Sequence, residues 1–240
     1  DLAQADASSP TVSLESVLLT AVVYAHEGRD VVIVDIPNAF VQTDMDGERV
    51  VMKLRGSLAE LLIQVAPELY SQFVVMENKK VVLYVELLKA LYGCLRSALL
   101  FYRKLLNDLQ EQGYTLNPYD PCVVNKIIDN NIHTVIWHVD DLKASHVKKQ
   151  VNDTFVEWVK STYASNGVGQ VKTSLGKVHN YLGMVVGFTE PGAVRISMED
   201  YVARMLESFP DGIKGTAATP AAQYLFSTRE TVQPLNKERS

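Results

Sequence analysis

The segment His133-Thr134-Val135-Ile136-Trp137-His138-Val139-Asp140-Asp141 decides the expected fold, because an apolar run ends abruptly in two adjacent carboxylates. A second segment, Asp30-Val31-Val32-Ile33-Val34-Asp35, repeats this arrangement with a single terminal carboxylate. Continuous apolar and β-branched runs of this length are typical of strands that are covered on both faces. A carboxylate at the end of such a strand is held by a rigid scaffold and can still face a cleft. The two segments therefore predict strand ends that gather Asp35, Asp140 and Asp141.

Helical and strand periodicities surround these two segments. Apolar residues at helical spacing predict helices over residues 13–26, 57–65, 97–112, 149–163 and 198–208. Short apolar runs predict strands over residues 50–54, 73–76, 81–85, 122–128, 133–139, 181–188 and 193–197, several of them paired across turns. The chain mixes helices with hairpins and has no regular β–α–β repeat. This order favours an α+β fold with a mostly antiparallel sheet.

The composition of the chain is that of an ordinary globular protein. Its 240 residues suffice for one large or two small domains, and 47% of them are hydrophobic. No apolar run is long enough to cross a membrane, and the polar start of the chain is not a signal peptide. Cys94 and Cys122 are expected to be free thiols in a reducing compartment. The first residue is not Met, which favours a piece of a longer polyprotein or a truncated gene model.

Three gathered carboxylates would repel one another, and this repulsion would raise their pKa values. Divalent cations relieve it, and magnesium prefers carboxylate, phosphate and water oxygens as ligands. Two such ions, about 4 Å apart, can activate a hydroxyl group and stabilise a leaving pyrophosphate. Each acidic site also has a simpler interpretation, since Asp after a strand often caps a turn and Asp-Asp is a favoured turn dipeptide.

Five short motifs that occur in a fixed order favour the metal-site interpretation over that of simple turn residues. They are Asp35 to Phe40, Leu88 to Gly93, Asn117 to Cys122, His138 to Leu142 and Tyr181 to Met184. In this order they resemble the D-x-x-x-A-F, L-K-x-L-Y-G, S-D-P-C, Y-V-D-D-L and F-L-G motifs of copia-type LTR-retrotransposon reverse transcriptases. The resemblance extends from about residue 13 to residue 210.

The resemblance implies a right-hand polymerase fold with partial fingers, a palm built on an antiparallel sheet and the start of a thumb. This core would occupy residues 1–210, and residues 211–240 would form a linker. The implied activity is RNA-directed DNA polymerisation with two Mg²⁺ ions, for which Mn²⁺ is a possible substitute. Asp35 and Asp140 would bind both ions and Asp141 would support them. The implied partners are an RNA or DNA template with its primer, dNTPs, and other Pol and Gag parts in an intracellular virus-like particle, with no membrane.

The resemblance also implies roles around the incoming nucleotide. Phe40 occupies the place of an aromatic gate against the ribose 2′-hydroxyl, although a packed strand-end aromatic is the simpler interpretation. Tyr92 and Gly93 would flank the nucleotide or template, and the hairpin around residues 181–183 would position the primer end. His138 replaces the usual Tyr of its motif. Lys172 or Lys177 could protonate the leaving pyrophosphate, although a solvated surface lysine is the favoured interpretation of each.

The charge of the chain limits how it can hold nucleic acid. With 28 acidic and 23 basic residues its formal net charge is −5, so strong autonomous binding to phosphates is not expected. Local contacts would come from Arg96, Arg103, Lys89 and Lys143. Two other functions remain open: an inactive retroelement remnant that keeps a nucleic-acid-binding or structural module, and another metal-dependent phosphoryl transferase.

Overall fold

The computed structural model describes residues 8–47, 49–164 and 169–208. The expected linker at residues 211–240 lies outside these ranges. The chain divides into two compact units, Asp1–Ser197 and Met198–Ser240. Within the described residues the second unit contains one helix, α6 (Glu199–Glu207). No helix in the described part of the chain has the length and apolar character needed to cross a bilayer.

The first unit alternates helices with short strands. Its helices are α1 (Leu14–His26), α2 (Ser57–Val65), α3 (Pro67–Tyr70), α4 (Ser97–Glu111) and α5 (Lys149–Tyr163). Its strands are β1 (Asp30–Asp35), β2 (Val51–Arg55), β3 (Val74–Glu77), β4 (Lys80–Glu86), β5 (Thr115–Leu116), β6 (Val123–Ile128), β7 (Asn131–His138), β8 (Asp141–His146), β9 (Lys172–Ser174), β10 (Val178–Tyr181), β11 (Met184–Gly187) and β12 (Arg195–Ser197).

A six-stranded sheet forms the centre of this unit, in the order β5-β6-β7-β8-β1-β9. Its ladders are antiparallel. Two smaller antiparallel sheets accompany it, β10-β11-β12 and β2-β4-β3. The expected combination of helices with antiparallel sheet is therefore confirmed.

Buried side chains at helical spacing fix α4 and α5 against the rest of the core. In α4 these are Leu105 and Leu109, and in α5 they are Phe155, Val156 and Val159. Helix α5 contacts both β1 and β8. Since each helix buries one apolar stripe and exposes the other side, the main sheet gains a rigid backing behind its two acidic strands.

Helix α1 is anchored by a residue far away in sequence. Its N-cap Ser13 accepts a hydrogen bond from the Ser16 amide. The Ser13 amide and hydroxyl both donate to Asp120 Oδ2, at 3.0 and 2.9 Å, and the Cys122 amide donates to Asp120 Oδ1 at 2.9 Å. Asp120 thereby joins the start of α1 to the segment that enters β6.

Two features of the strands differ from the sequence prediction. Strand β8 was not predicted, although it lies centrally between β7 and β1. The strand predicted over residues 181–188 is wrong, because Leu182 and Gly183 have φ values of 51° and 78° and turn the chain between β10 and β11. Positive φ at both central residues is the pattern of a tight two-residue hairpin turn, which no continuous strand can contain.

Candidate active site

The acidic pair occupies a tight hairpin between β7 and β8. His138 pairs with Asp141 across the two strands, so Val139 and Asp140 are the turn residues. Val139 has a φ of 57°. This left-handed conformation is strained for a β-branched residue, and glycine is the residue usually found at such a turn position. The strained residue is Val139, and its conformation sets the backbone that presents Asp140.

Strand pairing brings the third carboxylate to the same place. Asp35, the last residue of β1, is the register partner of Asp141, the first residue of β8. The amide of Ile36 donates to the carbonyl of Asp140 at 3.1 Å. Cross-strand partners point to the same face of a sheet, so the side chains of Asp35 and Asp141 emerge together beside the turn. The register therefore places Asp35 and Asp141 opposite each other, next to the turn that contains Asp140.

The electrostatics of these residues are those of crowded like charges. Burial raises the pKa of the Asp141 carboxyl, and the neighbouring charges of Asp140 and Asp35 raise it further. Neighbouring groups offset part of the negative charge. The ammonium of Lys172 lies 3.7 Å from Asp35 Oδ2, and the hydroxyl of Tyr92 donates to Asp140 Oδ2 at 3.3 Å. Burial and these carboxylates also raise the pKa of Tyr92, so that it stays a donor.

The donor chemistry fits a hard divalent cation, because a single lysine ammonium does not balance three carboxylates, which repel one another, and because oxygen ligands suit magnesium. The side chains do not form a preassembled ligand set: among residues 8–47, 49–164 and 169–208, no cluster of three or more His, Cys, Asp or Glu is arranged to hold a metal.

An ordered column of aromatic rings leads from the core to Asp140. Phe101 is fully buried, Phe40 is 8% exposed and Tyr92 is 53% exposed. The ring centroids are 6.3 Å apart between Phe101 and Phe40, and 4.3 Å apart between Phe40 and Tyr92. The structure therefore places Phe40 beneath Tyr92, and the outer ring is the one that borders the carboxylates.

A hydrogen-bonded turn positions Tyr92. The amide of Cys94 donates to the carbonyl of Leu91 at 3.1 Å, and Gly93 has a φ of 94°. This φ requires glycine, whereas an added Cβ at Gly93 would meet no atom within 4 Å. Buried Ser97 closes the turn, since its hydroxyl donates to the Leu91 carbonyl at 2.7 Å and accepts from the Leu91 amide at 3.1 Å. Sequence reasoning had not identified Ser97.

The cations expected to contact phosphate have different environments. Arg96 pairs with Asp46 at 2.9 Å, and Lys89 pairs with Asp44 at 2.6 Å, so both are tied to the segment before β2. Arg103 is exposed on α4. The prediction for Lys143 is wrong, because its side chain is only 1% exposed.

Lys143 lies in the core on the same face of β8 as Asp141. Its Nζ donates to the Val17 carbonyl and to Thr20 Oγ1, both at 3.3 Å. The ammonium lies 5.1 Å from the ring centroid of Tyr24 and 5.4 Å from that of Tyr181. It therefore fills the space between β8, α1 and β10 and is shielded from any ligand in solution.

The remaining predicted residues lie at the margins of the site. His138 is half-buried and closes the hairpin opposite Asp141. The hydroxyl of Tyr181 donates to the Asp141 carbonyl at 3.5 Å, which connects the β10–β11 hairpin to the acidic turn. Of the two candidate lysines, Lys172 pairs with Asp35 in register. The backbone carbonyl of Lys177 accepts a hydrogen bond from the Phe188 amide at 2.7 Å.

The family of the chain can now be stated. The family model described as reverse transcriptase (RNA-dependent DNA polymerase) matches residues 2–223. The chain belongs to this reverse transcriptase family. No curated protein matches it in a sequence comparison. Membership identifies an RNA-directed DNA polymerase domain, a kind of nucleotidyltransferase that acts on a nucleic-acid template and primer.

Proposed function

We propose that this reverse transcriptase domain is the polymerase of a copia-type retrotransposon and adds dNTPs to a primer 3′-hydroxyl with two divalent ions, held by Asp35, Asp140 and Asp141. The observation that carries the proposal is the strand register. It sets Asp35 opposite Asp141 and hydrogen-bonds Ile36 to the Asp140 carbonyl. The ordered motifs at residues 35–40, 88–93, 117–122, 138–142 and 181–184 support the copia type.

In this proposal the six-stranded sheet with α4 and α5 is the palm of a right-hand polymerase, and the β2-β4-β3 sheet with α2 belongs to the fingers. Bound divalent ions would supply charge neutralisation at the attacking and leaving oxygens. The protein's own residues would hold the carboxylates in position. Val139 fixes the turn, the paired strands set the spacing of the carboxylates, and Lys172 places a positive charge beside Asp35.

Primer extension on poly(rA)/oligo(dT) with Mg²⁺ or Mn²⁺ tests the proposal. Asp140→Asn should abolish extension while the circular dichroism spectrum stays unchanged. The matched control is Asp153→Asn, which removes an exposed carboxylate paired with Lys149 on α5 and should extend normally. Mn²⁺ binding, followed by electron paramagnetic resonance, should weaken in Asp140→Asn but not in Asp153→Asn.

The outcome also distinguishes the alternative of an inactive remnant. Extension that survives Asp140→Asn would contradict the assigned site. A folded wild-type chain that binds template-primer but neither extends it nor binds Mn²⁺ would favour the remnant.

A further inference from the structure

A cavity lies between α5 and the β6–β7 hairpin, at the end of the main sheet opposite the acidic turn. Its volume is about 280 Å³, near the lower end of the usual range for small-molecule sites. The acidic turn follows the far end of β7, roughly 20 Å away at about 3.3 Å per strand residue. The cavity is therefore separate from the carboxylate site.

Three aromatic side chains, those of Tyr114, Phe155 and Trp158, form an apolar wall of this cavity. The ring centroid of Phe155 lies 6.3 Å from that of Tyr114 and 5.6 Å from that of Trp158. Tyr114 and Phe155 are buried, whereas Trp158 is half-buried and lies nearer to the solvent. Aromatic faces and edges interact favourably with a further ring, so this wall suits a planar ring system.

Hydrogen bonds hold the aromatic wall in place from behind. The hydroxyl of Tyr114 donates to His133 Nδ1 at 2.6 Å, and His133 Nε2 donates to Asn152 Oδ1 at 3.1 Å. Asn152 Nδ2 in turn donates to the carbonyl and the carboxylate of Asp30, at 2.9 and 2.8 Å. Burial lowers the pKa of His133 to about 4, so its neutral ring can both accept and donate at pH 7. A wall fixed in this way is formed before a ligand arrives, which lowers the cost of binding.

Charged groups give the cavity a positive balance. Its described lining contains two lysines, Lys126 and Lys148, and one carboxylate, Asp129. Lys148 pairs with this carboxylate at 2.8 Å. The ammonium of Lys126 donates instead to the Gln112 carbonyl at 2.6 Å and lies 5.6 Å from the ring centroid of Tyr114. Within the described residues no carboxylate pairs with Lys126, so its positive charge is available to a ligand.

We propose that this cavity binds a small ligand in which a planar aromatic ring system carries an anionic group, such as a sulfonate, carboxylate or phosphate. The rings lie against the wall of Tyr114, Phe155 and Trp158, and the anionic group pairs with the ammonium of Lys126. This inference does not depend on the proposed metal site, because no residue that lines the cavity belongs to that site.

Naphthalene-2-sulfonate is the probe, because it joins two fused rings to one anionic group. The chain has two tryptophans, whose indole N–H signals report on two places in proton–nitrogen correlation NMR. Trp158 borders the cavity, whereas Trp137 is 1% exposed and stacks on Tyr102 of α4. The probe should move the Trp158 signal, with a dissociation constant of about 1 mM or tighter, and leave the Trp137 signal in place. Trp158→Phe assigns the two signals.

The role of charge is tested with naphthalene-2-sulfonamide, which has the same rings and no charge at pH 7. It should bind about 3- to 10-fold more weakly than the sulfonate. Lys126→Gln should weaken the sulfonate by a similar factor and leave the affinity for the sulfonamide unchanged. Its matched control is Lys160→Gln, which removes an exposed lysine of α5 that pairs with Glu157 and should leave both affinities unchanged.

A second variant tests the cavity itself. Thr154 is exposed on α5 and lines the cavity, so Thr154→Phe should fill the space and abolish binding of both ligands. Thermal unfolding checks that each variant folds. The inference is overturned if the probe leaves the Trp158 signal in place, if the sulfonate and the sulfonamide bind equally well, or if Lys126→Gln and Lys160→Gln have the same effect.

Discussion

Replacing Lys143 with Met should stabilise the protein. Burial lowers the pKa of the Lys143 amine to about 7 from an ordinary value of 10.5. A difference of this size corresponds to at most about 5 kcal/mol of unfavourable free energy for the buried ammonium form. Met has a similar length and no charge. The groups that now accept from Lys143 are not left unpaired, because Thr20 Oγ1 still donates to the carbonyls of Ser16 and Val17.

The expected gain from Lys143→Met is about 1–4 kcal/mol at pH 6, less than the upper bound because the ammonium also loses favourable contacts with Tyr24 and Tyr181. The gain must depend on pH. A lowered folded-state pKa makes the penalty complete below pH 7, and the penalty disappears as pH rises toward 10.5. The stability difference between variant and wild type should therefore shrink steadily between pH 7 and pH 10.

Urea denaturation of both proteins at pH 6, 8 and 9.5 measures this difference. Lys160→Met is the matched control, because Lys160 is an exposed lysine on α5 and its replacement should change stability by less than about 0.5 kcal/mol at every pH. The reasoning fails if Lys143→Met destabilises the protein at pH 6, or if its effect is independent of pH.

The other predictions concern two buried hydrogen-bonding residues. Asp120→Ala should cost about 2–4 kcal/mol at pH 7, because it removes a charged acceptor from the Ser13 amide and hydroxyl and from the Cys122 amide. Burial alone would raise the pKa of Asp120, but its hydrogen bonds hold that pKa below its usual value. The stabilisation by the Asp120 carboxylate is therefore present above about pH 4 and is lost as pH falls through the folded-state pKa. Urea midpoints of wild type and variant that differ equally at pH 7 and pH 2 would contradict this prediction. Ser97→Ala should cost about 1–2 kcal/mol in the same assay, since it unties the Leu91 turn, and an unchanged midpoint would show that the turn holds without it.

The placement of Asp35, Asp140 and Asp141 at or beside strand ends could be predicted from sequence because each position has a local signal. A long apolar run predicts a central strand, and an acidic residue at its end predicts a position beside a cleft. Strand β8 gave no such signal, because Asp141-Leu142-Lys143-Ala144-Ser145-His146 contains three polar residues after the acidic one. These side chains are buried only because other elements supply partners, such as α1 for Lys143. Tertiary contacts thus override a sequence pattern typical of a loop.

The aromatic column was beyond sequence reasoning for a similar reason. Phe40 and Tyr92 lie in different motifs, and nothing in either motif indicates which ring covers the other. Their order is decided by α4, which places Phe101 under Phe40, and by the Gly93 turn, which brings Tyr92 over it. Asp120 presents the same difficulty, since its hydrogen bonds to Ser13 join segments separated by 107 positions.

The strained turn residue connects the fold to the proposed chemistry. A non-glycine residue held in an unfavourable backbone conformation costs of order 1–3 kcal/mol, and such a cost persists only where surrounding structure enforces it. At Val139 the enforcing contacts are the His138–Asp141 pair and the hydrogen bond from Ile36 to the Asp140 carbonyl. Glycine would relieve the strain but would let the turn move. A stiff turn keeps the backbone of Asp140 beside those of Asp35 and Asp141 despite the repulsion between their charges, as the proposed divalent-cation site would require.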